Sequence, residues 1–226
     1  MSAKPTTKQL GRLHVITDES IQRRFSHAKL AGLAVSGGAD AVQFRDKRMG
    51  TRKLVEAAAV LKRICANSGI PLIINDRVDI AMAVDADGVH LGSDDIPIAV
   101  ARKLLGPNKI IGGSAGTMEE ALLAESEGAD YIGFGHIYPT SSKEKPTRPR
   151  GLERLKEVCS AVEIPVIAIG GIALSNIEPV IRAGAFGVAV ISAVCSRKNP
   201  EAATTALRRA IDRAAATMDE EESSKR

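Results

Sequence analysis

From position 43 the chain reads Gln43, Phe44, Arg45, Asp46, Lys47, which sets an amide and two cations at alternate residues. In an extended strand Gln43, Arg45 and Lys47 share one side, with Phe44 and Asp46 on the other. Two cations and an amide on one side make an anion site; the plainer reading is an arginine and a lysine reaching outward beside Asp46. Further on, the apolar run IPLII passes directly into Asn75 and Asp76, and GVHLGS is followed by Asp94 and Asp95. Asp76 and one of these two aspartates can share a divalent cation. Magnesium suits them, because it takes one or two protein carboxylates and completes its shell with water and phosphate oxygens. The alternative is that Asp94 or Asp95 caps the next helix while Asp76 pairs with Arg77. Ser114 among glycines, the loop Thr140, Ser141, Ser142, Lys143, the pair Gly170 and Gly171, and Ile191 with Ser192 complete the set. Hydroxyls, an ammonium and backbone freed by glycine are phosphate-binding chemistry, although a polar loop and a tight packing turn have the same composition.

These residues need elements that bring them together. Short apolar runs fall at 13–18, 40–47, 70–76, 88–92, 109–116, 130–138, 164–171 and 186–194, and a stretch of helical periodicity follows each. The weakest helical stretch is VDIAMAVD, about two turns. Eight alternating units predict an α/β fold with a parallel sheet closed into a single-domain (β/α)8 TIM barrel. An open doubly wound sheet is the alternative, but ITDESIQRR after the first strand lacks the glycine-rich dinucleotide fingerprint. The expected limits are an extension over 1–12, the barrel over 13–216 and a disordered tail over 217–226, where the apolar period is lost. In such a barrel the strands' carboxyl ends carry the chemistry, and every candidate above stands at one of them. The loops after strands 7 and 8 are the recurrent phosphate site of the fold.

Composition narrows the partners. With 226 residues, 44% of them hydrophobic, the chain can bury one substantial core. No apolar run approaches the roughly 18 residues of a membrane span, and MSAKPTTKQLGRLH has no apolar signal centre, so a cytoplasmic protein is expected. The net charge of +4 is spread among acids, and aromatic residues make up 3%, which argues against nucleic acid and for anionic metabolites. Cys65, Cys159 and Cys195 have neither metal-ligand nor disulfide spacing. His14 and His90 read as barrel lining, His27 as the surface of a helix, and His136 as a residue of the mouth without an assigned role.

The ordered set QFRDK, IINDRVD, DGVHLG with Asp95, GGSAG, IYPTSSK, AIGGI and VISAV resembles the thiamine phosphate synthase family over roughly residues 13–195. The resemblance implies a transferase that joins a 4-amino-2-methylpyrimidine methyl diphosphate to a thiazole phosphate, or its carboxylated form, and releases diphosphate. It implies Mg2+ on Asp76 and Asp95, and catalytic roles for Arg45, Lys47, Ser114 and Lys143. Substrate contacts are implied for Gln43, Phe44, Arg45, Asp46, Lys47, Asn75, Ser114, Thr140, Ser141, Ser142, Lys143, Gly171, Ile191 and Ser192. Ser93, Asp46, Gly116 and His136 depart from the family's usual Gln, Glu, His and Pro. A related thiazole tautomerase looks similar but lacks the acidic pair, so Asp76 and Asp95 argue against it. A phosphosugar isomerase and a non-catalytic paralogue are the rivals, and a homo-oligomer is the prior for such barrels.

Overall fold

A computed structural model of the chain describes residues 10–140, 142 and 148–223. The strands are β1 (Leu13–Thr17), β2 (Ala41–Phe44), β3 (Leu72–Asn75), β4 (Gly88–Leu91), β5 (Ile110–Ala115), β6 (Tyr131–Gly135), β7 (Val166–Ile169) and β8 (Gly187–Val190). They lie parallel in sequence order, and β1 pairs with β8 to close the barrel. Each falls inside an apolar run named above. The outer helices are α1 (His27–Ser36), α2 (Thr51–Asn67), α3 (Val78–Ala83), α4 (Ile98–Leu105), α5 (Met118–Ser126), α6 (Gly151–Ala161) and α7 (Ile177–Arg182). A four-residue turn of helix, α8 (Ser192–Cys195), and the long α9 (Pro200–Ser223) follow β8. None of the helices among the described residues is long and apolar enough to cross a membrane.

The helix α9 corrects the expectation of a disordered tail from 217. It continues to Ser223, with Met218 packed on the core and Glu221 bonded to Arg182 at 3.0 Å. Extending a formed helix costs far less than starting one, and these two contacts hold the turns where the apolar period fades.

Strand periodicity divides the core in two. Outward residues such as Leu13, Val42, Leu72 and Ile132 pack under the helices, while Ile16, Ile73, Tyr131, Ile167 and Ala189 fill the barrel interior. Tyr131 is 1% exposed and occupies space that Gly112 leaves open: a Cβ at Gly112 would stand 2.1 Å from its ring. His90 takes the space above Gly133 in the same way, at 2.6 Å. His14 and His90 flank Tyr131 with ring centroids at 5.5 Å and 5.4 Å, so both are barrel lining as expected. Burial pushes the His14 pKa below its ordinary value, so the ring is neutral at pH 7 and its Nε2–H donates to the Leu10 carbonyl at 2.9 Å.

Gly112→Ala is therefore expected to lower stability by about 2 kcal/mol or more, because Tyr131 has nowhere to move. Gly32→Ala, in α1 with nothing near the new methyl, is expected to raise it by about 0.5 kcal/mol or more. Urea midpoints of the two variants check the contrast, and equal shifts would remove the space-filling account.

Candidate active site

The β2 end divides its side chains as the alternation predicts. Gln43 faces the barrel axis, and Arg45 and Lys47 continue that side over the mouth. Phe44 points the other way, and its side chain packs into the core under the helices. Asp46 shares that outward side. It accepts hydrogen bonds from the backbone N–H of Arg48 at 2.7 Å and Met49 at 2.8 Å, and faces His27 Nε2 at 3.2 Å. Burial opposes the Asp46 charge, but these hydrogen bonds outweigh it and hold its pKa below the ordinary value. His27 is 2% exposed, with Nδ1 against Thr17 Oγ1 at 2.9 Å and its ring edge-on to Phe44 at 4.8 Å. It is not surface: as the first residue of α1 it turns down onto the ends of β1 and β2.

Two cavities lie side by side at the carboxyl ends of the strands. The larger, about 910 Å3, spans the ends of β1 to β4 and is lined by Asp18, Arg45, Asp46, Lys47, Asn75, Asp76, Asp94 and Asp95. The smaller, about 190 Å3, spans β5 to β8 and reaches Gln43, Thr140, Gly171, Ile191 and Ser192. Ser93, Ser114 and Ser142 line both. Ser141 and Lys143 lie outside the described residues.

In the larger cavity Arg45 and Lys47 already have carboxylate partners. Arg45 Nη1 bonds Asp18, a residue absent from the expected set, in a pair only 12% and 2% exposed. Lys47 bonds Asp76, and Arg77 bonds Asp79 instead, so the alternative pairing of Asp76 with Arg77 does not occur. Asp76 sits at φ 65°, a left-handed conformation that aspartate tolerates better than most residues. Asp95 accepts the Gly92 N–H at 2.7 Å, while Pro97 precedes α4 without a side-chain cap, so neither Asp94 nor Asp95 caps that helix. Burial raises the Asp95 pKa. The Gly92 hydrogen bond works against that rise, and the neighbouring Asp76 carboxylate adds to it. Two carboxylates this close favour a cation between them. Among the described residues no group of three or more His, Cys, Asp or Glu is arranged around one point.

Ser114 ends a buried polar chain. Tyr131 Oη lies 3.0 Å from His90 Nδ1, and His90 Nε2 lies 2.9 Å from Ser114 Oγ. Burial raises the Tyr131 pKa far above its ordinary value, so the phenol keeps its proton and can donate to Nδ1. In the tautomer protonated at Nε2, that N–H donates to Ser114 Oγ and the serine hydroxyl hydrogen is free to turn toward a ligand. Across the smaller cavity, Ser142 Oγ donates to Ser192 Oγ at 3.2 Å. Gly170 and Gly171, at φ 95° and 67°, let the chain after β7 pass the loop after β6: Cβ atoms there would meet His136 at 2.2 Å and Pro139 O at 2.6 Å. The tight-packing reading of these glycines and their place in a ligand cavity hold together. Gln43 Oε1 and Arg45 Nε are buried without hydrogen-bond partners among the described residues. Asp18, Ser93, His90, Glu120 and Arg150 are lining residues outside the expected set. Of these, Asp18 ends a strand as Asp76 does, a signal the sequence carries. Arg150 lies 14 residues beyond His136, and only the fold brings it back.

A family model described as thiamine monophosphate synthase matches residues 13–194. The thiamine-phosphate synthase of Salinibacter ruber is 54% identical over 206 residues, covering 91% of this chain and 90% of the relative. That of Chloroflexus aurantiacus is 48% identical, covering 87% and 91%. The solved structure of the thiamine phosphate pyrophosphorylase from Pyrococcus furiosus superposes with a TM-score of 0.84 at 40% identity, covering 92% of this chain and 98% of its own.

The raised Asp95 pKa fixes a sign. The folded protein holds that proton more tightly than the unfolded chain, so the contribution to stability is present below the unfolded pKa and lost as pH rises through the folded one. With chelator present, Asp95→Asn is expected to have a higher urea midpoint than wild type at pH 7. The advantage shrinks as pH falls toward the ordinary value of 3.8. A difference independent of pH would show that the charge at Asp95 is not the cause.

Proposed function

The chain belongs to the thiamine monophosphate synthase family, and from that premise we propose that it joins 4-amino-2-methyl-5-(diphosphooxymethyl)pyrimidine to 4-methyl-5-(2-phosphoethyl)thiazole, or its carboxylated form. The products are thiamine monophosphate and diphosphate; the carboxylated thiazole would in addition release its carboxylate as CO2 and take up a proton at that ring carbon. The observation that carries the reading is the pair of adjoining cavities, one charged and one lined by hydroxyls and glycine, with Ser93, Ser114 and Ser142 common to both. Two anionic substrates whose reacting centres must meet need such an arrangement.

Asp76 and Asp95 fit Mg2+: they are two carboxylates in mutual contact, in a cavity that also offers room for water and phosphate oxygens. When bound, the ion would neutralise charge on the departing diphosphate. Arg45 and Lys47 add to that, with Asn75 beside them, and Lys143 is assigned the same task by resemblance alone. Asp46 braces the segment through His27 and does not itself receive an anion. The Gln43 Oε1 acceptor suits the exocyclic amine of the pyrimidine. Ser114, with Nε2–H of His90 already donated to its oxygen, gives its own hydrogen to a substrate oxygen. Thr140, Ser142, Gly171, Ile191 and Ser192 receive the thiazole phosphate.

The C–O bond of the pyrimidine methylene breaks with its electron pair leaving on diphosphate, and the thiazole nitrogen lone pair forms the new C–N bond. That nitrogen is neutral and carries no proton, so no general base is required. The chain's work is charge neutralisation and alignment.

Purified protein with magnesium and both substrates is expected to form thiamine monophosphate and diphosphate in equal amounts, and chelator is expected to suppress both. Asp76→Ala or Asp95→Ala is expected to lower magnesium-supported turnover by about 100-fold or more while leaving the fold intact. Diphosphate released without the coupled product would identify a hydrolase. A folded Asp76→Ala variant at the wild-type rate would remove the metal assignment.

A further inference from the structure

Arg150 is the only arginine or lysine among the described residues lining the smaller cavity. Its Nε is buried and unpartnered, and among the described residues its guanidinium makes neither a hydrogen bond nor an ion pair. The one carboxylate among the described residues of that lining, Glu120, is bonded to backbone: Oε2 accepts the Gly116 N–H at 2.5 Å and the Thr117 N–H at 3.2 Å. The Arg150 backbone is fixed, because its N–H donates to the His136 carbonyl at 2.8 Å and Gly151 follows onto Ile137 O at 3.2 Å. The guanidinium lies over Gly116, where a Cβ would stand 2.7 Å from Nη2 and 3.2 Å from Cζ and Nε. A side chain at 116 would therefore displace it.

A guanidinium that pairs with no carboxylate among the described residues, at the wall of a cavity, is suited to receive an anion. The larger cavity has its own cations in Arg45 and Lys47. We propose that Arg150, seated over Gly116, binds an anionic group of the thiazole substrate, its phosphate or its ring carboxylate, and so sets the enzyme's selectivity for that substrate. This rests on the synthase reading above.

The test is steady-state kinetics with both substrates varied, using the thiazole phosphate with and without its carboxylate. Arg150→Ala is expected to raise the thiazole KM by about 10- to 100-fold, with little change in kcat or in the pyrimidine diphosphate KM. Arg150→Lys should recover part of the loss. Gly116→Ala should raise the same KM by less, and add nothing in the Arg150→Ala background, because its only route of action is through the guanidinium. A rise equal for both thiazoles assigns the phosphate, and one confined to the carboxylated form assigns the carboxylate. Unchanged thiazole KM values, a rise confined to the pyrimidine diphosphate, or additive Gly116 and Arg150 effects would overturn the proposal while the synthase reading stands. If Arg150→Ala does not fold, Arg150→Lys and Gly116→Ala carry the same comparison. A wild-type protein that forms no thiamine monophosphate sinks the reading itself and this proposal with it.

Discussion

A closed eight-stranded parallel barrel has room inside for only a few side chains at each level, and here Tyr131 takes the share of several. Its ring fits only because Gly112 presents no Cβ to it, and His90 fits over Gly133 for the same reason. Two interior glycines thus admit two large rings. The rings then dictate the polarity of the next level, because a buried phenol and imidazole each need hydrogen-bond partners. Tyr131 and His90 supply one for each other, and the remaining imidazole nitrogen reaches Ser114 at the rim. A packing constraint at the centre therefore ends as an oriented hydroxyl in the mouth.

The charges at the rim obey a second form of the same economy. Arg45 and Asp18 are both nearly buried, and neither would be tolerated there alone. Lys47 and Asp76 form the more exposed pair, and Asp95 is the carboxylate left over. Asp18 holds Arg45 in place through Nη1, and Nε is left without a hydrogen-bond partner among the described residues. Lys47 with Asp76 is a pair that can separate at low cost, since the lysine side chain is 59% exposed. In the reaction proposed above, a diphosphate and a divalent cation would re-pair these two groups with opposite charges of their own. The surplus carboxylate at Asp95 makes the rim more receptive to a cation than the sequence's QFRDK segment alone indicates.

The sequence was readable where periodicity carries the information. Eight apolar runs mark eight strands, and the abrupt polar ends at Asn75, Asp76 and Gln43 mark the face that carries the site. Alternation also placed Phe44 and Asp46 opposite Arg45, and the Phe44 side chain packs into the core. What periodicity cannot carry is contact between distant segments. His27 looked exposed because its burial depends on Thr17, Phe44 and Asp46 converging on it. Arg45 looked free because Asp18 lies 27 residues away. The end of α9 was missed for a related reason, since Glu221 finds Arg182 across the surface and not along its own helix.

Gly116 and Arg150 show how far such a distant contact can reach into chemistry. The rim positions after β5 and before α6 share one volume, so a glycine at the first is a condition for a large cation at the second. Neither residue has meaning alone: a glycine after a strand reads as a turn, and an arginine before a helix reads as surface. The backbone bond from Arg150 to the end of β6 converts that shared volume into a fixed position, because it ties the far end of a 14-residue excursion back to the strand it left. The same logic of small residue and large neighbour that fills the barrel at Gly112 and Tyr131 thus recurs at the rim, where the large neighbour is charged.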